Sequence, residues 1–236
     1  MGSVVYTSIF GDYDILKDPV VYSDDIDYIC FTDNEKFKSD VWDIRIVGRY
    51  RDNIRSSRRF KVGPHVFLKE YEYSLWIDGS LELQVIPDIK KLLDGKTIAM
   101  AKHPIRKCIY KEGITCMLSK KDKENKITKQ LSDYSKQGYP ADAGLYHDAL
   151  ILRQHNDKRL SELSELWWYQ ICTQSTRDQI SFPFVFKNYP VGIISRETWD
   201  EMVVIYLHNT QYRLPGLVEA WNKKIKEMSQ DRLNET

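Results

Sequence analysis

The chain has 236 residues, of which 42% are apolar, so it can fold as one large α/β domain or two small ones. Its formal net charge of +1 provides no field that favours nucleic acid or an acidic membrane surface. The sequence contains no signal peptide and no run of eighteen apolar residues, and its cysteines form no CxxC pair, so we expect a cytoplasmic protein with reduced thiols and no membrane span.

The first apolar segment, residues 4–10 (VVYTSIF), is β-branched and predicts a strand that Gly11 ends. Ligands of α/β sheets bind beyond the carboxyl ends of strands. Thr7, Tyr13 and Asp14 are therefore candidates to contact a nucleotide base or ribose, although an ordinary strand–helix turn explains the same pattern.

Two further strands are predicted at residues 26–32 (IDYICFT) and 43–47. Asp33 follows the first of these and can either accept the N–H of a uracil or bond its own turn. Residues 53–68 then favour a helix, interrupted at Gly63-Pro64.

Positive charge is concentrated on this helix. Arg58 and Lys61 are three residues apart and therefore share one helix face. Beside a diphosphate they would supply favourable charge, whereas most such residues are solvated surface.

The central segment of the chain is YSLWIDGSLEL, residues 73–83. Its first half predicts a buried strand, and Asp78 is expected at the end of that strand with a partner, because burying an unpaired carboxylate is costly. Gly79 allows a ligand to approach the backbone, and Ser80 adds a hydroxyl. This pattern suits a hard divalent cation carrying phosphates, although a plain Asp-Gly turn after a strand is also common.

A short helix is predicted at residues 87–93 and a buried strand at 97–102. His103 follows that strand, either as a sugar-hydroxyl contact or as a turn histidine. Residues 108–138 are polar and helical, and their lysine-rich middle (KKDKENK) is a solvated face, a mobile loop or a lid.

The second half of the chain begins with a turn at residues 139–144 that leads into a strand at 145–153 and exposes Asp142. A helix capped by Asn156 and another capped by Thr176 are predicted next. In the second helix, Asp178 either stabilises the first turn through the helix dipole or lies beside a reacting sugar carbon.

The last predicted strand, residues 203–207, ends at His208, which is placed to complete a metal shell begun by Asp78. An amphipathic helix is predicted at residues 217–228. No repeat and no flexible linker divides the chain, so we expect one domain over residues 1–236.

Eight segments together resemble a glycosyltransferase-like family, first catalogued as a domain of unknown function, with members in plants, bacteria and large viruses. The segments are VYTSIFGDYD, YICFTDN, SRRFKVGPHVFL, YSLWIDGSL, AKHPIRKCIY, QGYPADAGLY, ILRQHND and TRDQISFPF. Within this family the chain resembles the N-terminal glycosyltransferase domain of a multi-domain chlorella-virus protein that decorates capsid glycans. That resemblance implies further catalytic domains in a longer parent chain, and the host cytoplasm as its location.

The resemblance implies a GT-A fold, an α/β sandwich with a central mixed, mostly parallel sheet flanked by helices, on which a C-terminal helix at residues 215–232 packs. It also implies transfer of a sugar of glucose or rhamnose type from a UDP-sugar to a glycan acceptor, with Mn²⁺ or Mg²⁺ and with retention of configuration.

In this resemblance Asp78 matches the first residue of an Asp-x-Asp metal motif, and Ser80 replaces the second aspartate. The replacement leaves more of the metal shell to His208, water and the diphosphate. Lys61 lies about where such enzymes place a donor-binding base, and Arg58 is the neighbouring candidate.

The remaining roles also follow from the resemblance. Asp142 is similar to the residue that holds the donor sugar, and Asp178 with Gln179 is similar to the late acidic pair near the anomeric carbon. Asp178 and Asp142 are thus the expected catalytic residues. The uridine is expected on Thr7, Tyr13 and Asp33, and sugar hydroxyls on His103, Asp142 and Gln179.

Two other functions are compatible with the residues. Because Ser80 replaces the second aspartate, the chain can be a catalytically silent module that binds a nucleotide sugar or a glycan. A nucleotidyltransferase is disfavoured, since the loop GDYD has too few glycines to form its phosphate-binding loop.

Overall fold

A computed structural model describes residues 2–209 of the chain. The strands of this part are β1 (Ser3–Ile9), β2 (Ile26–Thr32), β3 (Asp43–Ile46), β4 (Tyr73–Ile77), β5 (Leu81–Leu83), β6 (Ile98–Lys102), β7 (Tyr146–Arg153), β8 (Gly192–Ile194) and β9 (Val203–Ile205). The helices are α1 (Asn53–Val62), α2 (Pro64–Phe67), α3 (Ile89–Leu93), α4 (Ile109–Leu118), α5 (Glu124–Lys136), α6 (Lys158–Thr173), α7 (Asp178–Val185) and α8 (Arg196–Met202). The C-terminal helix predicted at 215–232 lies outside the described residues.

A seven-stranded sheet with the order β3-β2-β1-β4-β7-β6-β8 forms the centre of the described chain. Every strand in it runs in one direction except β7, which is antiparallel to both β4 and β6. Helices flank this mostly parallel sheet, which confirms the predicted α/β class and is compatible with a GT-A-like fold. The carboxyl ends of β1, β2 and β4 therefore meet at one edge, where α/β sheets bind ligands.

The sheet separates two apolar cores, because alternate side chains of a strand point to opposite faces. Along β1, Val4 and Tyr6 enter the first core with α1, α6 and α7, while Val5 enters the second core with α3 and α8. A third cluster joins α4, α5 and α7. With both faces covered, only the edges of the sheet remain open to a ligand.

The helical stretch expected at 53–68, with an interruption at Gly63-Pro64, is confirmed as α1 and α2, because Pro64 cannot donate the next backbone hydrogen bond. Two predicted caps differ from the structure. The capping residue of α6 is Asp157 rather than Asn156. Thr176 does not cap α7, since its backbone N–H and hydroxyl both bond Asp122.

Three short elements, β5, β8 and α8, were not predicted. The polar stretch 108–138 forms two helices, and the lysine-rich segment spans the turn between them and the start of α5. The four cysteines are free, and three of them are buried, as expected of core thiols. No helix within residues 2–209 is long and apolar enough to cross a membrane.

Candidate functional site

The end of β4 places Asp78 at the ligand-binding edge of the sheet. Its Oδ1 accepts the indole N–H of Trp76 at 2.8 Å and lies 3.4 Å from the Nζ of Lys61. The side chain is 27% exposed, so it is neither free in solvent nor enclosed. The expectation that Asp78 lies at the end of a strand with a partner is confirmed.

The glycine that follows Asp78 lies against another part of the same chain. A Cβ at Gly79 would come within 2.8 Å of Ile9 and 3.1 Å of the Cβ of Asp14. Lys17 also donates to the Gly79 carbonyl at 3.2 Å. The small residue is therefore needed for close approach of the end of β1 and the loop after it. Close approach of a ligand to Gly79 stays a prediction.

The small sheet of β5 and β9 brings His208 to the same edge. The two strands are antiparallel with Leu81 opposite Ile205, and the N–H of Tyr206 donates to the Ser80 carbonyl at 2.8 Å. Residues 78–81 form a tight turn, in which the Leu81 N–H donates to the Asp78 carbonyl at 2.9 Å. His208 contacts Asp14, whose Cβ lies 3.1 Å from the position of a Cβ at Gly79, so the structure brings His208 from a distant part of the chain to the neighbourhood of this turn.

The loop after β1 supplies the partners of His208. The Nδ1 of His208 is 2.9 Å from Asp14 Oδ1, and its ring is 4.6 Å, centre to centre, from the ring of Tyr13. Tyr13 is 60% exposed, so its ring offers an apolar face to a ligand. The sequence made Asp14 a candidate to contact a nucleotide base or ribose. In the structure its carboxylate orients His208.

A divalent cation at this edge of the sheet would need a ligand that completes its shell. Residues 2–209 contain no cluster of three or more His, Cys, Asp or Glu side chains that could hold an ion. Within that same part of the chain, Oδ2 of Asp78 has no hydrogen-bond partner, and the contact of Nδ1 with Asp14 leaves Nε2 of His208 for a ligand. Metal-binding histidines typically contact a carboxylate in this way through their second nitrogen.

A buried group of charges lies directly behind Asp78. The side chain of Lys61 is 0% exposed, and its Nζ is 2.8 Å from Asp178, 3.4 Å from Asp78 and 3.5 Å from Asp148. The sequence predicted Lys61 as a contact of the nucleotide sugar. In the structure, its ammonium group is surrounded by carboxylates of the chain itself.

Asp178 is the most enclosed carboxylate of this group, at 0% exposure. Its Oδ2 is 2.7 Å from Nε of Arg58 and 2.8 Å from Lys61. Burial alone would raise the pKa of Asp178, but Arg58, Lys61 and Arg177 hold it well below its ordinary value. The structure thus makes Asp178 a buried counter-ion, and its predicted catalytic role beside the anomeric carbon remains a prediction.

Asp148 is a member of the charge group that sequence reasoning missed. The pairing of β6 with β7 shifts between Ala99 and Ala101, which marks an irregularity of the β-bulge type. In an unbroken strand Asp148 would share the face of Leu150, which packs in the second core. The irregularity instead lets Asp148 reach Lys61 on the side of the first core, and bulges next to functional sites often re-aim a side chain in this way.

The environment of Asp148 favours its protonated form. Burial first, and then the charges of Asp178 and Asp78, raise the pKa of Asp148 to about 7, against the opposing effect of Lys61 and Arg58. The signal in the sequence was an acidic residue within the apolar strand YHDALILR, since a charge at such a position needs a partner.

We predict that this raised pKa makes stability depend on pH. Between about pH 4 and 7 the folded protein holds a proton on Asp148 that the unfolded chain has released, so its stability falls as the pH rises. Asp148→Asn removes this loss, and the wild type should lose stability relative to the variant by up to about 1.4 kcal/mol per pH unit in this window. Urea denaturation of both proteins at pH 5, 6, 7 and 8 measures the difference, and a difference independent of pH would contradict the prediction.

Two predicted nucleotide contacts are occupied or enclosed. Thr7 is buried, and its hydroxyl has no hydrogen-bond partner within residues 2–209. Asp33 accepts the N–H of Gly11 at 3.0 Å and pairs with Arg49. Although burial raises the pKa of Asp33, these two donors hold it below its ordinary value. The pairing of Asp33 with its own turn, one of two alternatives, is thus observed.

The predicted sugar contacts are dispersed. The Nδ1 of His103 accepts the backbone N–H groups of Ile105 and Arg106, so this histidine stabilises its own turn. Burial and the charge of Arg106 lower the pKa of His103 to about 2, which keeps the ring neutral. Gln179 is buried and donates to the Tyr146 carbonyl at 2.7 Å. Asp142 lies exposed in the turn before β7, and its contact with a sugar stays a prediction.

A mixed, mostly parallel sheet with charged side chains gathered at the carboxyl ends of its strands is typical of α/β domains that bind ligands at that edge. The model of the TOD1/MUCI70 glycosyltransferase-like domain family matches residues 32–208. The chain belongs to that family. The matched segment includes Asp33, the charge group and His208, but not β1.

Two proteins of Arabidopsis thaliana are similar to the chain. The probable hexosyltransferase MUCI70 is 27% identical over an alignment of 216 positions. That alignment covers 78% of this chain and 37% of that protein. The alkaline ceramidase TOD1 is 24% identical over an alignment of 273 positions. That alignment covers 97% of this chain and 58% of that protein. The chain thus spans between about a third and three fifths of the length of these relatives.

Proposed function

We propose that the chain transfers a hexose or deoxyhexose from a UDP-sugar to a glycan acceptor, with Mn²⁺ or Mg²⁺ and with retention of configuration. Membership of a glycosyltransferase-like family and the similarity to a probable hexosyltransferase support the transfer of a sugar. The observation that carries the proposal is the position of His208, which contacts Asp14 and the exposed ring of Tyr13, beside the turn that contains Asp78 and Ser80.

In this proposal, Asp78 presents Oδ2 and His208 presents Nε2 to a cation on the diphosphate, while the hydroxyl of Ser80 lies next along the loop. The cation would act as a Lewis acid that offsets the charge of the departing UDP. Asp14 holds the His208 ring in position. With one carboxylate and one imidazole as ligands from the protein, most coordination positions of the cation are left to phosphate oxygens and water. The metal and the nucleotide should therefore bind together.

The nucleotide base would stack on Tyr13, which is exposed beside His208. Arg58 is the cation closest to a diphosphate role, because its side chain is partly exposed whereas Lys61 is fully enclosed. Asp142 would contact the donor sugar from its exposed turn. Asp178 would act indirectly, by holding the side chains of Arg58 and Lys61 in position.

A thermal-shift panel of UDP-, GDP- and TDP-sugars, each with and without Mn²⁺, tests the proposal. A ligand at 100 times its dissociation constant adds about 2.7 kcal/mol of stability, which a melting curve detects. We expect a shift with UDP-sugars that requires Mn²⁺, followed by transfer to a glycan acceptor whose configuration NMR identifies. Absence of any nucleotide-dependent shift would contradict the proposal.

The second candidate is a catalytically silent module that binds a nucleotide sugar or a glycan. It is favoured by Ser80 in place of an aspartate, and by the lack of a three-residue metal cluster within residues 2–209. The same panel separates the two functions. Manganese-dependent binding without transfer or hydrolysis of any donor would support the silent module.

One of the two relatives is named an alkaline ceramidase, and residues 2–209 contain a pair of side chains that resembles a hydrolytic dyad. His155 Nδ1 lies 2.9 Å from the Ser74 hydroxyl, and its Nε2 lies 2.8 Å from the Leu68 carbonyl. Both residues are buried, and they lie at the start of β4, the end opposite to Asp78. We therefore interpret this pair as a structural link and do not propose hydrolysis.

A further inference from the structure

One oxygen of Asp78 is already in use. Its Oδ1 accepts the indole N–H of Trp76 at 2.8 Å and lies 3.4 Å from the ammonium group of Lys61. Within residues 2–209, Oδ2 has no hydrogen-bond or ion-pair partner, although the side chain is partly exposed. The two oxygens of this carboxylate therefore face different surroundings.

The indole of Trp76 is held rigidly. Trp76 and Asp78 are two residues apart at the end of β4, so their side chains leave the strand on the same side. Trp76 is 1% exposed, and its ring meets the ring of Tyr6 edge-on at 5.2 Å. The N–H can thus reach Asp78 without rotation of a mobile side chain.

Lys61 is fixed from the opposite side. Its Nζ is 5.8 Å from the centre of the Trp76 ring and is held by Asp178 at 2.8 Å. The Tyr6 hydroxyl donates to the Lys61 carbonyl at 3.2 Å, which ties the end of α1 to the sheet. The two donors to Oδ1 are therefore parts of the packed core rather than of the solvent-exposed site.

We propose that Trp76 and Lys61 are positioning residues that occupy Oδ1 of Asp78, so that the carboxylate offers a single oxygen, Oδ2, to a cation on a diphosphate. This inference rests on the proposed function. A carboxylate held in one orientation binds through one oxygen and leaves adjacent coordination positions to His208 and phosphate oxygens. A freely rotating carboxylate would exchange its oxygens or chelate through both.

The role of Trp76 differs from that of an ordinary core residue. Because Asp78 is partly exposed, water can replace the indole N–H as a donor, and the loss of this hydrogen bond should cost little stability. What water does not replace is the fixed orientation. Groups that orient a metal ligand typically contribute about 10- to 100-fold to metal affinity.

The test compares Trp76→Phe with Trp199→Phe. Trp199 is equally buried, but its indole nitrogen has no hydrogen-bond partner within residues 2–209, so its replacement reports the effect of a smaller ring without the loss of such a bond. Binding of Mn²⁺ is measured by the EPR signal of the free ion, with saturating UDP. We expect about 10-fold weaker binding in Trp76→Phe and no change in Trp199→Phe.

A second measurement uses the wild-type protein. Each of the six tryptophans gives one indole N–H signal in a ¹H–¹⁵N spectrum, and the two Phe variants assign those of Trp76 and Trp199. Addition of Mg²⁺ with UDP should shift the Trp76 signal and leave the Trp199 signal in place. Melting curves show whether each variant is folded.

The outcomes separate this inference from the proposed function. If Asp78→Asn loses Mn²⁺ binding while Trp76→Phe binds as the wild type does, the inference is wrong and the proposed function stands. If the wild type itself shows no UDP-dependent binding of Mn²⁺, the proposed function fails and the inference fails with it. Weaker binding in Trp76→Phe alone, with the expected indole shift, supports both.

Discussion

Asp178→Asn should lower the free energy of unfolding at pH 7 by about 3–5 kcal/mol, which corresponds to a fall in Tm of roughly 10 °C. The carboxylate is 0% exposed and lies 2.7 Å from Arg58 and 2.8 Å from Lys61. Its removal leaves two cations enclosed with less compensating charge, and an amide would add N–H donors where the site needs acceptors. Urea denaturation at pH 7 measures the loss.

Asp148→Asn is the matched control, because it makes the same substitution in the same charge group. The pKa of Asp148 is raised to about 7 whereas that of Asp178 is lowered, so a neutral side chain suits the first position and not the second. At pH 7 we expect Asp148→Asn to be at least as stable as the wild type, because the amide does not carry the cost of ionising Asp148. Equal losses in the two variants would show that the pKa shifts do not control stability here.

The contribution of Asp178 should also disappear in acid. Its pKa is lowered in the folded protein, so the stability it provides is present above about pH 4 and is lost as the pH falls through the folded-state value. The wild type and Asp178→Asn should therefore approach each other in stability below about pH 3. This acid window is separate from the pH 4–7 window in which Asp148 acts.

The sequence was sufficient to predict that Asp78 lies at the carboxyl end of a strand of the central sheet. Parallel strands bring their carboxyl ends together, and Asp78 follows the apolar strand β4 with no further information needed. His208 was linked to Asp78 for a similar reason, as a histidine at the end of the last strand. The structure joins them through β5 and β9, although each of these strands is too short for its pairing to be recognised from periodicity.

The sequence was not sufficient to predict the contacts behind Asp78. Asp148 reaches Lys61 because the β6–β7 pairing shifts by an irregularity, and no local pattern in an eight-residue strand specifies that shift. The burial of Lys61 depends on three carboxylates from β4, β7 and α7, which are distant in sequence. The spacing of Arg58 and Lys61 along α1 correctly predicted that their side chains meet. It did not predict that their common partner is Asp178.

The same reasoning explains Gly79 and Asp33. Their local sequences permit both a ligand contact and a contact within the chain, and only the packing of the loop after β1 distinguishes the two. That loop lies against Gly79 through Asp14 and bonds Asp33 through the Gly11 N–H. Short polar loops carry little periodic signal, so their contacts depend on the elements they connect.

Asp78→Asn should reduce kcat/KM for transfer from a UDP-sugar by about 10³-fold and abolish UDP-dependent binding of Mn²⁺. An amide oxygen can still accept the Trp76 indole N–H, and Lys61 keeps Asp178 as its nearest partner, so the fold should lose no more than about 1 kcal/mol. The charge that attracts a cation is removed while the shape of the site is retained. Activity assays, Mn²⁺ titration and urea denaturation are needed on the same protein.

Asp43→Asn is the control for this variant. Asp43 is an exposed carboxylate at the start of β3, on the edge of the sheet opposite to Asp78, and it pairs only with Arg45 at 2.9 Å within the described chain. Its substitution changes the net charge by the same amount and should leave kcat/KM unchanged. If Asp78→Asn retained full activity and full affinity for Mn²⁺, the cation would have to bind elsewhere. A loss of activity with intact Mn²⁺ binding would instead assign Asp78 to the donor sugar, since a partly exposed carboxylate at this strand end can also accept its hydroxyl groups.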